Sequence, residues 1–164
     1  MMKLKKRFYL PSLADMLFLS IFLFLCISRG QGLLGDGDTG YHIRAGEWIL
    51  RSLSIPRFDI FSYHFPPIPW TAHEWLSEVI MALVHRYTGL TGIVLLFTFL
   101  LALTFYLLFL KIRDSGGNIL IALFIVLLAT AASQIHWLAR PHVFSLLLFY
   151  VWYRILDEFR DGTR

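Results

Sequence analysis

The chain reads as an all-α integral membrane protein, with about four transmembrane helices and two amphipathic juxtamembrane helices in its first external loop. Three observations predict this. Hydrophobic residues make up 57% of the 164 residues and charged residues only 16%, where a soluble domain is about one-quarter charged. Mean hydropathy is +0.65. The apolar residues gather into runs at 13–34, 90–112, 118–136 and 142–157, at or near the length that crosses about 30 Å of hydrocarbon.

The first run begins with a capping box, Ser12 to Asp15, just after Pro11. Before it stand Lys3, Lys5, Lys6 and Arg7. A basic cluster ahead of an apolar run reads as a cytoplasmic anchor, not a nucleic-acid patch. The same start fits a secretory signal, but further apolar runs follow, so the first helix is expected to stay uncleaved. The single cysteine, Cys26, lies inside an apolar run. It excludes an intrachain disulfide and a Cys-rich metal site.

Residues 35–89 form the long polar connection. Within it, Tyr41, Ala45, Trp48 and Ile49 share one face of a predicted helix from Thr39 to Ser52. Gly40 and Gly46 weaken that helix by about 1 kcal/mol each relative to Ala. A second amphipathic helix is predicted over 72–87. Its apolar residues recur at spacings of three and four, and His73, Glu74, Ser77, Glu78 and His85 line the other face. Placed along the outer surface, this helix leaves Lys111, Arg113 and the charged tail inside and Arg140 outside. Placed across the membrane, it exposes the basic turn and tail, against the positive-inside rule. The surface placement is the expectation.

The loop reads Gly35-Asp36-Gly37-Asp38-Thr39-Gly40-Tyr41-His42, then Gly46-Glu47-Trp48-Ile49-Leu50, Ile55-Pro56-Arg57-Phe58-Asp59 and Pro69-Trp70-Thr71-Ala72-His73-Glu74-Trp75-Leu76. This arrangement resembles the N-terminal part of GT-C membrane glycosyltransferases, polytopic enzymes that use polyprenyl-phosphate sugars, including the protein mannosyltransferase and lipid A aminoarabinose transferase types. The resemblance implies a first helix, an external loop with an acidic residue near its start, two juxtamembrane helices and further spans. It implies an inner (plasma) membrane protein with a cytoplasmic N-terminus. The family's enzymes are much longer, so the remainder of the module or a partner membrane subunit is expected alongside the bilayer and the lipid-linked sugar. A nucleic-acid partner is not.

The implied chemistry assigns roles. An acceptor hydroxyl loses its proton as it attacks the anomeric carbon, and a carboxylate serves as general base. Asp38 matches the family's loop acid best, with Asp36 second. The departing lipid phosphate calls for cationic or hydrogen-bonding groups; His42, Arg44, Glu74, Arg140 and His142 are the substrate-binding candidates. One branch of the family places a divalent metal at such acids, which makes Asp36 and Asp38 possible ligands. Each residue also has a structural reading. Asp38 stands where an N-cap opens the Thr39 helix. Asp36 lies in a Gly-flanked turn. Glu74 closes a capping box from Thr71, and Glu78 falls on the wet face. Arg140-Pro141 breaks a helix, with a snorkelling arginine. Trp48, Trp70, Trp75, Trp137 and Trp152 read as interface anchors. A non-enzymatic small subunit or scaffold that binds lipid-phosphate groups is the rival to the transferase.

Overall fold

The computed structural model of the chain describes residues 11–160 and 162; the basic cluster before Pro11 and the last residues of the tail lie outside them. Among the described residues every regular element is helical, with one isolated antiparallel bridge between Phe58 and Pro69 in the loop. Two helices are long and apolar enough to cross a membrane, Trp75–Asp114 and Ile119–His136. The apolar segment Leu13–Ser28 is shorter.

Helix α1 (Leu13–Phe24) opens with the capping box: Ser12 Oγ accepts the Asp15 N–H and the Asp15 carboxylate accepts the Ser12 N–H. A π-helical turn (Leu25–Arg29) and a short α2 (Gly30–Leu33) extend it. This rod packs antiparallel to the far part of α4. Phe18 meets Phe99 and Tyr106 edge-on, and a side chain placed at Gly30 would touch Val94.

Helix α3 (Asp38–Ser52) and helix α4 (Trp75–Asp114) form the site's frame. Helix α4 has two arms, 75–88 and 90–114, hinged at Gly89, where φ is 65° and ψ is −160°. That backbone region is open to glycine almost alone. The predicted surface helix and the span after it are therefore one element with a break.

The first arm faces opposite to the sequence reading. Glu78, Met81 and Ala82 are buried, while Trp75, Leu76 and Leu83 are exposed. An apolar stripe turned outward fits a bilayer, where the apolar phase lies outside the fold.

The remaining helices complete the bundle. Asn118 caps α5 (Ile119–Ser133) by accepting the Leu120 N–H at 2.9 Å. A 3-10 turn (Gln134–His136) and an irregular stretch lead into α6 (His142–Arg160). Helix α6 runs parallel to the second arm of α4, with Phe144 against Phe97 near one end and Asp157 paired with Lys111 at the other. The outer faces of α5 and α6 are apolar: Leu120, Ile121, Phe124, Leu148 and Phe149 are exposed. Trp137 is a core residue, not an interface anchor; it is buried, packs on Phe105 and donates its indole N–H to Ser133 Oγ at 3.2 Å. Trp48 and Trp70 hold the loop, against Phe58 and against Tyr41 and Phe61.

One glycine sets how closely α3 lies on α4. A Cβ at Gly46 would fall 2.0 Å from the Glu78 carbonyl oxygen, backbone that cannot easily give way. Gly40, six residues earlier on α3, has open space around it. Ala at a free helical glycine gains about 1 kcal/mol, whereas overpacking costs about 1–3 kcal/mol. Gly40→Ala is therefore expected to raise the unfolding midpoint in detergent, and Gly46→Ala to lower it. Equal shifts for the two variants would refute the close contact.

Candidate functional site

The site begins where a turn and a loop meet across a hundred residues of sequence. The Ala139 N–H donates to the Leu33 carbonyl at 2.8 Å. Thr39 Oγ1 donates back to the Ala139 carbonyl at 3.2 Å, in a buried position. These bonds set the stretch before α6 against the start of α3. They also place the Arg140 guanidinium between two acids: Nε lies against Asp36 Oδ2 and Nη2 against Asp38 Oδ2.

The local chemistry divides the work between those acids. Asp36 Oδ1 accepts the Asp38 N–H at 3.1 Å, closing the turn that starts α3. The N-cap position is Gly37, which makes no side-chain cap bond. Asp38 is the first residue of the helix, and its carboxylate is about half exposed. The expectation that Asp38 caps α3 is thus corrected: Asp36 supplies the side-chain bond, and Asp38 turns its carboxylate to Arg140. The Thr71–Glu74 capping box also fails to form. Glu74 occupies the N-cap of α4 with no side-chain cap bond, and its carboxylate faces His42 and His73.

Deeper in the cleft, α3 meets the first arm of α4. His42 Nδ1 lies 3.1 Å from Glu78 Oε1 and 3.8 Å from Glu74 Oε2. His42 and Glu78 are both buried, Glu78 to 1% exposure. Glu78 Oε2 is buried without a hydrogen-bond partner. Glu78 is the residue the sequence reading placed on the wet face. Its only signal was its position, one helical turn after Glu74 and so on the same face.

These parts open onto a cavity of about 500 Å³ lined by Asp38, Tyr41, His42, His73, Glu74, Arg140, Pro141 and His142. Asp36 borders it through Arg140. Of the substrate-binding candidates, His42, Glu74, Arg140 and His142 come together here. Arg44 does not. It pairs with Glu47 at 2.7 Å and lines a separate cavity with Trp48, Arg51 and Phe61. Its place on α3, two residues from His42, turns it to another side of the helix. His142 donates its Nε2–H to the His136 carbonyl, 2.7 Å away.

The cavity is acidic. Asp38 and Glu74 line it, Asp36 and Glu78 lie behind Arg140 and His42, and Arg140 is the one guanidinium in its wall. The Tyr41 phenol at its wall reports that field: its pKa is pushed up to about 12, by burial first and then by the charges of Glu78, Glu74, Asp38 and Asp59. Tyr41 is therefore a proton donor throughout the physiological range. Arg140 fills the space between Asp36 and Asp38, so this pair does not fit a divalent metal.

A second concavity adjoins the first. It measures about 380 Å³ and runs between the first arm of α4 and α6, lined mainly by Trp75, Leu76, Ile80, Phe144, Leu147 and Leu148. His73, Glu74 and Pro141 belong to both walls.

Compared with known proteins, the chain matches no family model, no curated protein and no solved structure.

Proposed function

We propose that this chain is a membrane glycosyltransferase, or the N-terminal part of one, that transfers a sugar from a polyprenyl-phosphate donor to an acceptor hydroxyl at the external face of the inner membrane. One observation supports it above the rest. An open polar cavity with an exposed carboxylate shares a wall with an apolar groove, which is the shape that an amphiphile with a polar head and a long chain needs. The GT-C resemblance of the loop points the same way.

In this reading the prenyl chain lies in the groove between α4 and α6, and the sugar phosphate in the cavity. The acceptor oxygen attacks the anomeric carbon as the bond from that carbon to the phosphate oxygen breaks. Asp38 takes the hydroxyl proton, and polyprenyl phosphate leaves with the bonding electrons. Arg140 holds Asp38 in place and offers its free edge to the departing phosphate; His73 and His142 flank it. Such hydrogen bonds to charged groups contribute about 1.5–3 kcal/mol each. Asp36 serves the turn.

The membrane arrangement belongs to the same proposal: four spans, with the N-terminus, the Lys111 turn and the C-terminal tail in the cytoplasm. Labelling of single cysteines in a Cys26→Ser background checks it. Ser62→Cys should react with an impermeant reagent from outside, and Ser115→Cys should not. External labelling of Ser115→Cys would overturn the arrangement.

The decisive chemistry test is Asp38→Asn in the purified native protein in liposomes, with a radiolabelled polyprenyl-phosphate sugar. The amide keeps size and shape and removes the base. Transfer should fall by about a hundredfold or more, the usual contribution of a positioned base, while expression stays near that of the parent and thermal stability falls only slightly, through the loss of one charge facing Arg140. Asp36→Asn should cost less activity and more stability. Wild-type transfer by Asp38→Asn would remove it as the base. Lipid-phosphate binding with no transfer by the parent protein would favour the non-enzymatic subunit instead.

A further inference from the structure

We infer that His42, Glu74 and Glu78 form a binding site for one divalent transition-metal ion, zinc foremost, at the floor of the cavity. The site is separate from the Asp36–Arg140–Asp38 cluster above it.

Geometry is the first argument. One ligand atom from each residue can be chosen so that all three lie within 4.8 Å of one another. The closest pair, His42 Nδ1 and Glu78 Oε1, is 3.1 Å apart, and His42 Nδ1 to Glu74 Oε2 is 3.8 Å. Tetrahedral zinc with bonds of about 2.0–2.2 Å sets its ligand atoms roughly 3.3–3.5 Å apart. Two of the three ligand pairs already have that spacing to within half an ångström. Glu74, at the start of α4 and about one-third exposed, has room to move the remainder.

The second argument is independent of spacing. A buried carboxylate is satisfied on both oxygens in nearly every stable fold. Glu78 is 1% exposed; its Oε1 faces His42, and its Oε2 has no partner. Among the described residues His42 is the one basic side chain paired with Glu78, and Arg140 lies against Asp36 and Asp38 instead. A cation between the imidazole and the two carboxylates would remove that deficit. It would also offset the excess of carboxylates in the cavity.

The ligand set selects the metal. One imidazole among two carboxylates suits zinc and its first-row neighbours better than magnesium or calcium, which prefer all-oxygen shells. Three protein ligands leave a fourth position open toward the cavity, as in zinc sites that accept water or a ligand. A phosphate or sugar hydroxyl entering the cavity would meet that position.

The inference stands apart from the transferase reading: a chain that binds zinc here and transfers no sugar keeps the one and loses the other. The experiment uses the detergent-purified protein stripped with EDTA and titrated with Zn²⁺ by calorimetry. One Zn²⁺ per chain is expected, with little binding of Mg²⁺. Glu78→Gln, Glu74→Gln and His42→Gln should each weaken Zn²⁺ binding by about a hundredfold or more, since even outer-shell partners of a metal site contribute 10–100-fold. Glu47→Gln, on the side of α3 that pairs with Arg44, should leave affinity unchanged. If burial makes Glu78→Gln unstable, the more exposed end of the site decides through Glu74→Gln, and zinc-edge X-ray absorption of the parent must show one imidazole among oxygen ligands. Failure of the stripped parent to bind Zn²⁺, equal affinity in the Glu74→Gln protein, or an absorption spectrum without imidazole would each overturn the site.

Discussion

The docking of the turn before α6 onto the start of α3 is the constraint on which the site depends. Leu33, Asp36, Asp38 and Thr39 come from one segment, Ala139 and Arg140 from another. Two backbone-directed hydrogen bonds and a guanidinium shared by two carboxylates hold them together. Each neutral bond contributes about 1 kcal/mol net, and charged ones up to about 3. Those sums are small beside the apolar packing of the helices, yet they set the turn that carries Arg140 and His142 against α3. Without them, α6 could still lie along α4 through Phe97 and Phe144, but the cavity would lose a wall.

A second close approach fixes the floor. Gly46 brings the α3 backbone against the carbonyl of Glu78, and that approach carries His42, one turn earlier, to the Glu78 carboxylate. The helix cost of a mid-helix glycine, about 1 kcal/mol, thus has a local counterpart in packing. The Gly89 hinge then turns α4 from its first arm into its long apolar arm. Glu78 lies on the inner side of the first arm beside Met81 and Ala82, and Trp75, Leu76 and Leu83 are exposed on its outer side, which fits a bilayer-facing element.

Much of this is legible in the sequence, and the exceptions have physical causes. Helix positions follow from apolar runs and from Gly and Pro breaks, and the Ser12–Asp15 box forms as its spacing predicts. Asp38, His42, Glu74, Arg140 and His142 can be named beforehand from the chemistry that the loop's resemblance implies, and they line one cavity. Glu78 cannot, because an amphipathic pattern gives two faces without saying which one is inside. In water the apolar face packs inward; here it is the other. Asp36 and Asp38 are two residues apart and both acidic, so only the Arg140 contact and the Asp38 N–H bond tell the turn-former from the free carboxylate. Arg44 has the charge that a departing phosphate calls for, but helical rotation sends it to Glu47. The aromatic-belt rule reads Trp137 as an interface anchor, but the fold around the 3-10 turn buries it.

Amide hydrogen exchange at Ala139 tests the docked turn most directly, in the parent protein and in Arg140→Ala, each in lipid nanodiscs. In the parent, this N–H is bonded to the Leu33 carbonyl and its residue is fully buried, so exchange should be strongly slowed. In Arg140→Ala, loss of the two ion pairs should speed it by roughly tenfold or more, as expected for the loss of about 1.4 kcal/mol or more of charged contacts, while the amide of Phe97 in the core of α4 stays protected. Exchange of Ala139 in the parent at the rate of an unstructured amide would contradict the account.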